Sequence, residues 1–219
     1  MDSKDIGSLT MHPLAMYFVV GGILILTILI ITYFIYSSWK TEKKRTNGLK
    51  EAALRSGFSF SEDVDVDCSD LQIFRPNKTR IWNMLKIDRH DALWRIFDYK
   101  GLKLLTIFMA ETKRSFPKFS LIYKSSEDYS LEDYNPNDIE FDGHPEFSKQ
   151  YYLTGTDKTE IRKLFSADVI RHFETFRPEC MIDANGRRAF FFKLGVERVK
   201  PEDLTSKLED AAKLLSLFL

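Results

Sequence analysis

The segment of this sequence most capable of chemistry is Asp142-Gly-His-Pro-Glu146. Its carboxylate, imidazole and carboxylate groups occupy alternate positions, which lie on one side of an extended chain, and such groups bind hard or borderline metal ions. Asp142, His144 and Glu146 are therefore candidate metal ligands, and His172 completes the set if the fold brings it near. Because a glycine and a proline separate them, the pattern is also typical of a rigid turn whose side chains bond to the backbone. The turn is the favoured interpretation.

A second candidate is the thiol of Cys180, with His144 or His172 as its base. The cysteine stands in an apolar run, so we expect a buried and inert thiol. The other cysteine, Cys68, is distant in sequence, and two cysteines make no disulfide framework. This cysteine usage indicates a reducing compartment.

Two further polar positions have structural interpretations. Asp98 ends an aromatic run, and we expect it to satisfy a turn or to pair with Arg95 or Arg114. Gly155-Thr-Asp157 could bind an anion at the start of a helix, but one glycine is a weak signal and an N-cap explains it. The glycine-rich nucleotide-binding motifs and the GxSxG motif of serine hydrolases do not occur in the sequence. We therefore assign no catalytic residue and no cofactor.

Short β-type runs must position these residues. They are joined by short polar connections, which predict antiparallel neighbours because parallel strands need long crossovers. The predicted strands are Ile81–Ile87, Ala92–Tyr99, Leu102–Ala110, Phe119–Tyr123 and Gln150–Thr154, then a hairpin of Cys180–Asp183 and Ala189–Lys193 that turns at Asn185-Gly186. The acidic stretch 125–145 is predicted to be a surface loop.

Three helices are predicted in the same part of the chain. Asp157 is the N-cap of the first, which runs through Phe165, and the second is Ala167–Phe176. The third begins at Pro201 and carries an apolar stripe towards the end of the sequence. These elements predict an α+β fold for residues 58–219, in which an antiparallel sheet is covered by helices, including the C-terminal helix.

Residues 14–39 are predicted to form a transmembrane helix. The 23 residues from Leu14 to Tyr36 contain no charged side chain, and at about 1.5 Å per residue they span about 34 Å, enough for a hydrocarbon core of about 30 Å. A cleaved signal peptide would begin with basic residues and have a shorter apolar run. Residues 40–57 are then predicted to form a basic juxtamembrane helix that ends at Gly57.

The charges beside this helix predict its orientation. Two acidic residues and one basic residue precede it, whereas a basic group follows it: Lys40, Lys43, Lys44 and Arg45. The positive-inside rule places residues 1–13 outside the membrane and the C-terminal domain in the cytoplasm, with this basic group at the lipid headgroups. The whole chain carries 32 basic and 32 acidic residues, a balance that argues against nucleic acid as a partner.

Three segments carry a resemblance to a known group of proteins: Arg95-Ile-Phe-Asp-Tyr99, Phe116-Pro-Lys-Phe119, and Ile139-Glu-Phe-Asp-Gly-His-Pro-Glu-Phe-Ser-Lys-Gln-Tyr151. In these segments the chain resembles a family of uncharacterised bacterial single-pass membrane proteins, each with one N-terminal helix and a cytoplasmic domain. The resemblance covers about Glu51 to Leu219. It implies a protein of the bacterial inner membrane and brings no catalytic residue.

These observations favour a membrane-tethered binding or scaffold domain. Its partners are the lipid bilayer and a protein that meets exposed aromatic side chains near the acidic loop. The alternative is a membrane-anchored, metal-dependent hydrolase centred on Asp142, His144 and Glu146. A third hypothesis is that the helix itself is the functional part and packs against other membrane helices through Gly21-Gly22.

Overall fold

A computed structural model describes residues 13–64, 80–101, 103–124, 138–194 and 197–219 of the chain. Within these ranges there are six strands: β1 (Ser59–Asp63), β2 (Arg80–Arg89), β3 (Ala92–Lys100), β4 (Leu104–Tyr123), β5 (Tyr151–Gly155) and β6 (Met181–Phe192). The helices are α1 (Pro13–Ser56), α2 (Pro145–Gln150), α3 (Lys158–Leu164), α4 (Ala167–Phe176) and α5 (Leu204–Ser216), with a 3₁₀ turn at Pro201–Asp203. The expected α+β fold is confirmed.

The six strands form one antiparallel sheet in the order β1-β2-β3-β4-β5, and β6 pairs with β4. The first half of β4 pairs with β3 and its second half with β5, while β6 follows β4 over most of its length. β4 is therefore the central strand of the fold. The antiparallel arrangement that the short connections predicted is confirmed.

The sequence interpretation differs from the structure in two strands, because each is continuous where two were predicted. β4 runs through Pro117, and β6 runs through Asn185-Gly186, so the predicted hairpin turn is wrong. The register between the two strands shifts at these positions, between Glu111 and Phe116 and again before Phe119. Bulges tolerate both a proline without an N–H donor and a glycine with positive φ, which is +57° at Gly186.

Two elements were not predicted at all. β1 has the sequence Ser-Phe-Ser-Glu-Asp and gives little apolar alternation, yet it pairs with β2 from Ser59 opposite Lys86. α2 begins inside the stretch that was assigned to a loop. Of that loop, residues 125–137 lie outside the described part of the chain.

The sheet carries an apolar cluster on each face, because neighbouring residues of a strand point to opposite sides. Ile96 belongs to the larger cluster and Phe97 to the smaller one. All buried apolar side chains of α2, α3, α4 and α5 belong to the larger cluster, which also contains most of the buried aromatic rings. These helices therefore cover one face of the sheet, as the amphipathic stripe of α5 predicted.

The chain divides into two compact units, Met1–Asn47 and Gly48–Leu219. α1, of which residues 13–47 belong to the first unit, is the one described helix of the chain that is long and apolar enough to cross a membrane. Its described apolar side chains between Tyr17 and Trp39 are exposed. Thr27 and Thr32 donate their hydroxyls to the carbonyls of Ile23 and Ile28, at 2.8 Å each, so both satisfy their polar groups within the helix. The predicted boundaries at residues 13, 39 and 57 stay predictions.

Candidate functional site

The segment with the candidate metal ligands forms the entry into α2. Residues 142 and 143 make a turn, the His144 N–H bonds to the Phe141 carbonyl at 2.8 Å, and α2 begins at Pro145. The glycine and proline predicted this turn, whereas the expected bond from the His144 side chain to the backbone is replaced by one to the Glu174 carboxylate. The turn places His144 at the N-cap position of α2.

His144 is engaged by α4. Its Nδ1 lies 3.2 Å from Oε2 of Glu174, and the other oxygen of Glu174 accepts a hydrogen bond from the backbone N–H of Phe147 at 3.2 Å. A carboxylate at a helix N-terminus satisfies an N–H group that has no partner within the helix and lies at the positive end of the helix dipole. Glu174 thus caps α2 from another helix and orients the imidazole.

The other two candidate ligands do not join His144. Glu146 accepts a hydrogen bond from Lys149 at 2.6 Å, which lowers the pKa of the Glu146 carboxyl, and Asp142 is exposed. Among the residues that the structure describes, no three His, Cys, Asp or Glu side chains are grouped so that they could hold a metal ion. A metal site at Asp142, His144 and Glu146 stays a prediction, which metal analysis of the wild type and of His144→Ala tests.

Cys180 lies in the apolar interior. It is a free thiol with 1% of its surface exposed, and burial raises its pKa to about 12. The thiolate is the nucleophilic form, so we expect little reactivity at neutral pH. Of its two candidate bases, His144 is paired with Glu174, and the ring of His172 lies 4.5 Å from that of Phe176. The expected burial of Cys180 is confirmed, and its inertness stays a prediction.

The predicted N-cap at Asp157 is confirmed. Its carboxylate accepts hydrogen bonds from the N–H groups of Thr159 and Glu160, at 3.1 and 3.0 Å. Gly155 has a packing reason, because a Cβ added there would lie 2.4 Å from the Lys118 carbonyl oxygen. The helix start is thus occupied by the chain's own carboxylate, as a structural cap requires.

Asp98 is at the centre of a buried polar network that the sequence did not reveal. Only 1% of it is exposed, and it accepts hydrogen bonds from three side chains: Asn83 at 3.0 Å, Arg198 at 3.3 Å and Thr106 at 3.4 Å. Thr106 in turn accepts the N–H of Val199 at 3.0 Å. The network joins Arg198 and Val199, which precede α5, to the sheet by hydrogen bonds.

The partners expected for Asp98 were therefore wrong. Arg95 donates to Glu111 at 2.8 Å, and Arg114 donates to the main-chain oxygen of Leu219 at 2.7 Å. The true partner, Arg198, is a hundred residues away in sequence. Asn83 has φ +55° at a bulge in β2, a conformation that asparagine tolerates better than most residues, so the asparagine within the predicted strand is a local signal in the sequence.

Two surface features remain after these structural roles are assigned. The predicted headgroup-binding residues Lys40, Lys43 and Lys44 are exposed on α1, and the Lys43 ammonium lies 4.9 Å from the centre of the Trp39 ring; Arg45 is half-buried. In the second unit, Phe176 on α4 is 69% exposed. An exposed aromatic ring is a common anchor at protein interfaces.

Comparison with known proteins gives a likeness of fold. No protein-family model matches the chain, and no curated protein matches it. The crystal structure of the mycobacterial trehalose monomycolate transport factor A, TtfA, is similar, with a TM-score of 0.57 and 11% sequence identity over 80% of this chain and 96% of that chain. At this identity the likeness shows a shared fold.

Proposed function

We propose that this chain is a membrane-tethered binding module of a bacterial inner membrane, whose second unit meets a protein partner at the cytoplasmic surface. The proposal rests on a contrast in the exposure of apolar side chains between α1 and the second unit. The apolar side chains of α1 between Tyr17 and Trp39 are exposed, whereas the second unit has a buried core of its own. An apolar helix that finds no protein cover is stable in lipid and not in water.

The cytoplasmic orientation rests on the basic residues that follow the apolar stretch. Single cysteines on the two sides test it, in a Cys68→Ser background. We expect an impermeant maleimide added to intact cells to label Ser3→Cys and to leave Ser206→Cys, on the exposed surface of α5, unlabelled. Labelling of Ser206→Cys in intact cells would place the second unit outside.

The proposed contact surface is the outer side of α4 around Phe176. The centre of this ring lies 4.5 Å from that of His172 with the two planes tilted by 38°, and the exposed charged residues Asp168 and Arg171 lie on the same helix. An exposed aromatic side chain within a polar surround is the composition of an interface anchor. This surface also fits the expected protein partner, which contacts exposed aromatic side chains.

The similar fold of TtfA adds one element to the proposal. That protein is a trehalose monomycolate transport factor. We infer from it only that a fold of this kind can serve in a transport factor.

Photocrosslinking tests the proposal in the full-length chain. A benzophenone analogue of phenylalanine at position 176 keeps an aromatic ring in place and can crosslink to a neighbouring protein. We expect a discrete crosslinked product from position 176 in membranes. The same analogue at Asp88, an exposed residue of β2, should give none.

The competing hypothesis, in which Gly21-Gly22 of the helix makes the association, is separated by deletion. If the helix alone binds the partner, removal of residues 48–219 leaves the association intact. If the second unit binds it, the deletion abolishes association, and Phe176→Ala weakens it by about tenfold or more, as loss of an aromatic anchor does. A partner retained by the deleted chain would refute the proposal.

A further inference from the structure

Two neighbouring strands are irregular at the same place. In β4 five steps separate Glu111 from Phe116, whereas their partners in β6 are Arg188 and Gly186, only two steps apart. The extra residues of β4 are held in a defined conformation, because the Thr112 hydroxyl donates to the Arg114 carbonyl at 2.7 Å and Arg187 donates to the Thr112 carbonyl at 2.8 Å. The bulge is therefore an ordered part of the surface.

Basic side chains concentrate at this bulge. The facing segments 111–116 and 184–189 together contain four basic residues and one acidic residue, Glu111, although the chain as a whole is neutral. We call the four basic residues the basic bulge surface: Lys113, Arg114, Arg187 and Arg188. Three of them are exposed and Arg188 is half-buried.

The charge of Glu111 is already shared among several cations. Its hydrogen bond from Arg95 lowers its pKa, and Arg187 and Arg188 act on it in the same direction. The Glu111 carboxylate thus interacts with three guanidinium groups, those of Arg95, Arg187 and Arg188. Lys113 and Arg114 add two further positive charges to the same segment. Like charges close together on a sheet repel one another, so a bound anion is favoured here.

We propose that the basic bulge surface binds an acidic segment of a protein partner. Bulges lift side chains out of the regular sheet and recur beside binding sites, and complementary charge steers such encounters. This surface lies on β4 and β6, whereas Phe176 lies on α4, so different substitutions test the two proposals.

The test is binding of a fluorescein-labelled peptide of alternating glutamate and serine to the full-length chain in phosphatidylcholine nanodiscs. We expect saturable binding that weakens as salt is added. Lys113→Gln combined with Arg188→Gln should weaken it by roughly tenfold, at two- to fivefold per exposed charge. The matched control is Lys158→Gln with Lys200→Gln, which removes the same charge from exposed positions elsewhere and should leave binding unchanged.

A second variant changes affinity in the opposite direction. Glu111→Gln removes the acidic side chain from among the cations, so we expect the peptide to bind more tightly by about two- to fivefold. Equal loss in the matched control, or no change in either test variant, would overturn the assignment. If phosphatidylglycerol in the nanodisc displaces the peptide from the wild-type chain, the surface binds lipid and the protein-segment assignment is wrong.

Discussion

Replacing Asp98 by alanine tests whether the buried polar network holds the second unit together. The carboxylate accepts hydrogen bonds from Asn83, Arg198 and Thr106, and it is 1% exposed. Its removal leaves the Arg198 guanidinium and the Asn83 amide without this acceptor. Breaking a buried ion pair by removing one partner costs about 3–5 kcal/mol.

The expected cost lies at the lower end of that range. The Arg198 side chain is 20% exposed, so water can solvate part of the released cation. We expect Asp98→Ala to lower the free energy of unfolding by about 3 kcal/mol, a large share of the roughly 5–15 kcal/mol available to a domain. Asp98→Asn keeps an acceptor oxygen but loses the charge, and we expect about 1–2 kcal/mol.

The assay is urea unfolding of the full-length chain in detergent micelles, followed by tryptophan fluorescence. Trp82 reports locally, because the Arg198 guanidinium lies 5.9 Å from the centre of its ring. Asp168→Ala is the control, since this carboxylate pairs with Arg171 on the exposed side of α4 and should cost about 0.5 kcal/mol or less.

A double-mutant cycle identifies the interaction responsible. In an Arg198→Met background, Asp98→Ala no longer removes the partner of a buried cation. We therefore expect its effect on the free energy of unfolding to fall by about 1–2 kcal/mol. Strict additivity of the two substitutions would refute the role assigned to this ion pair. So would a cost below about 1 kcal/mol for Asp98→Ala alone.

Three further predictions use the same unfolding assay or simple labelling. Gly155→Ala places a methyl group against the Lys118 carbonyl and should cost about 1–3 kcal/mol, whereas Thr156→Ala, at the exposed residue that follows β5, should not. Cys180, whose pKa burial raises to about 12, should resist iodoacetamide at neutral pH in a Cys68→Ser background and react fully once unfolded; labelling of the folded chain would contradict its burial. Because the folded-state pKa of Glu111 is below its usual 4.5, its stabilising effect is present above that pH and lost as the pH falls through the folded pKa. The stability difference between wild type and Glu111→Gln should therefore be constant near neutral pH and shrink in acid.

Features that depend on neighbouring residues were determined by the sequence itself. The apolar stretch of α1, the N-cap at Asp157 and the amphipathic stripe of α5 each arise from residues a few positions apart. Helix periodicity and capping act over one or two turns, so the sequence contains their whole cause. The antiparallel pairing of β2, β3 and β4 followed for a similar reason, since their short connections permit little else.

Features that join distant segments were decided by the tertiary structure. Asn185-Gly186 suits a tight turn and a bulge alike, because both need positive φ, and only the pairing with β4 selects the bulge. Glu174 caps α2 from another helix, so the segment around His144 could not by itself show whether its imidazole binds a metal or a carboxylate. Asp98 and Arg198 are a hundred residues apart and are brought together by the fold, so no local sequence pattern predicts their contact.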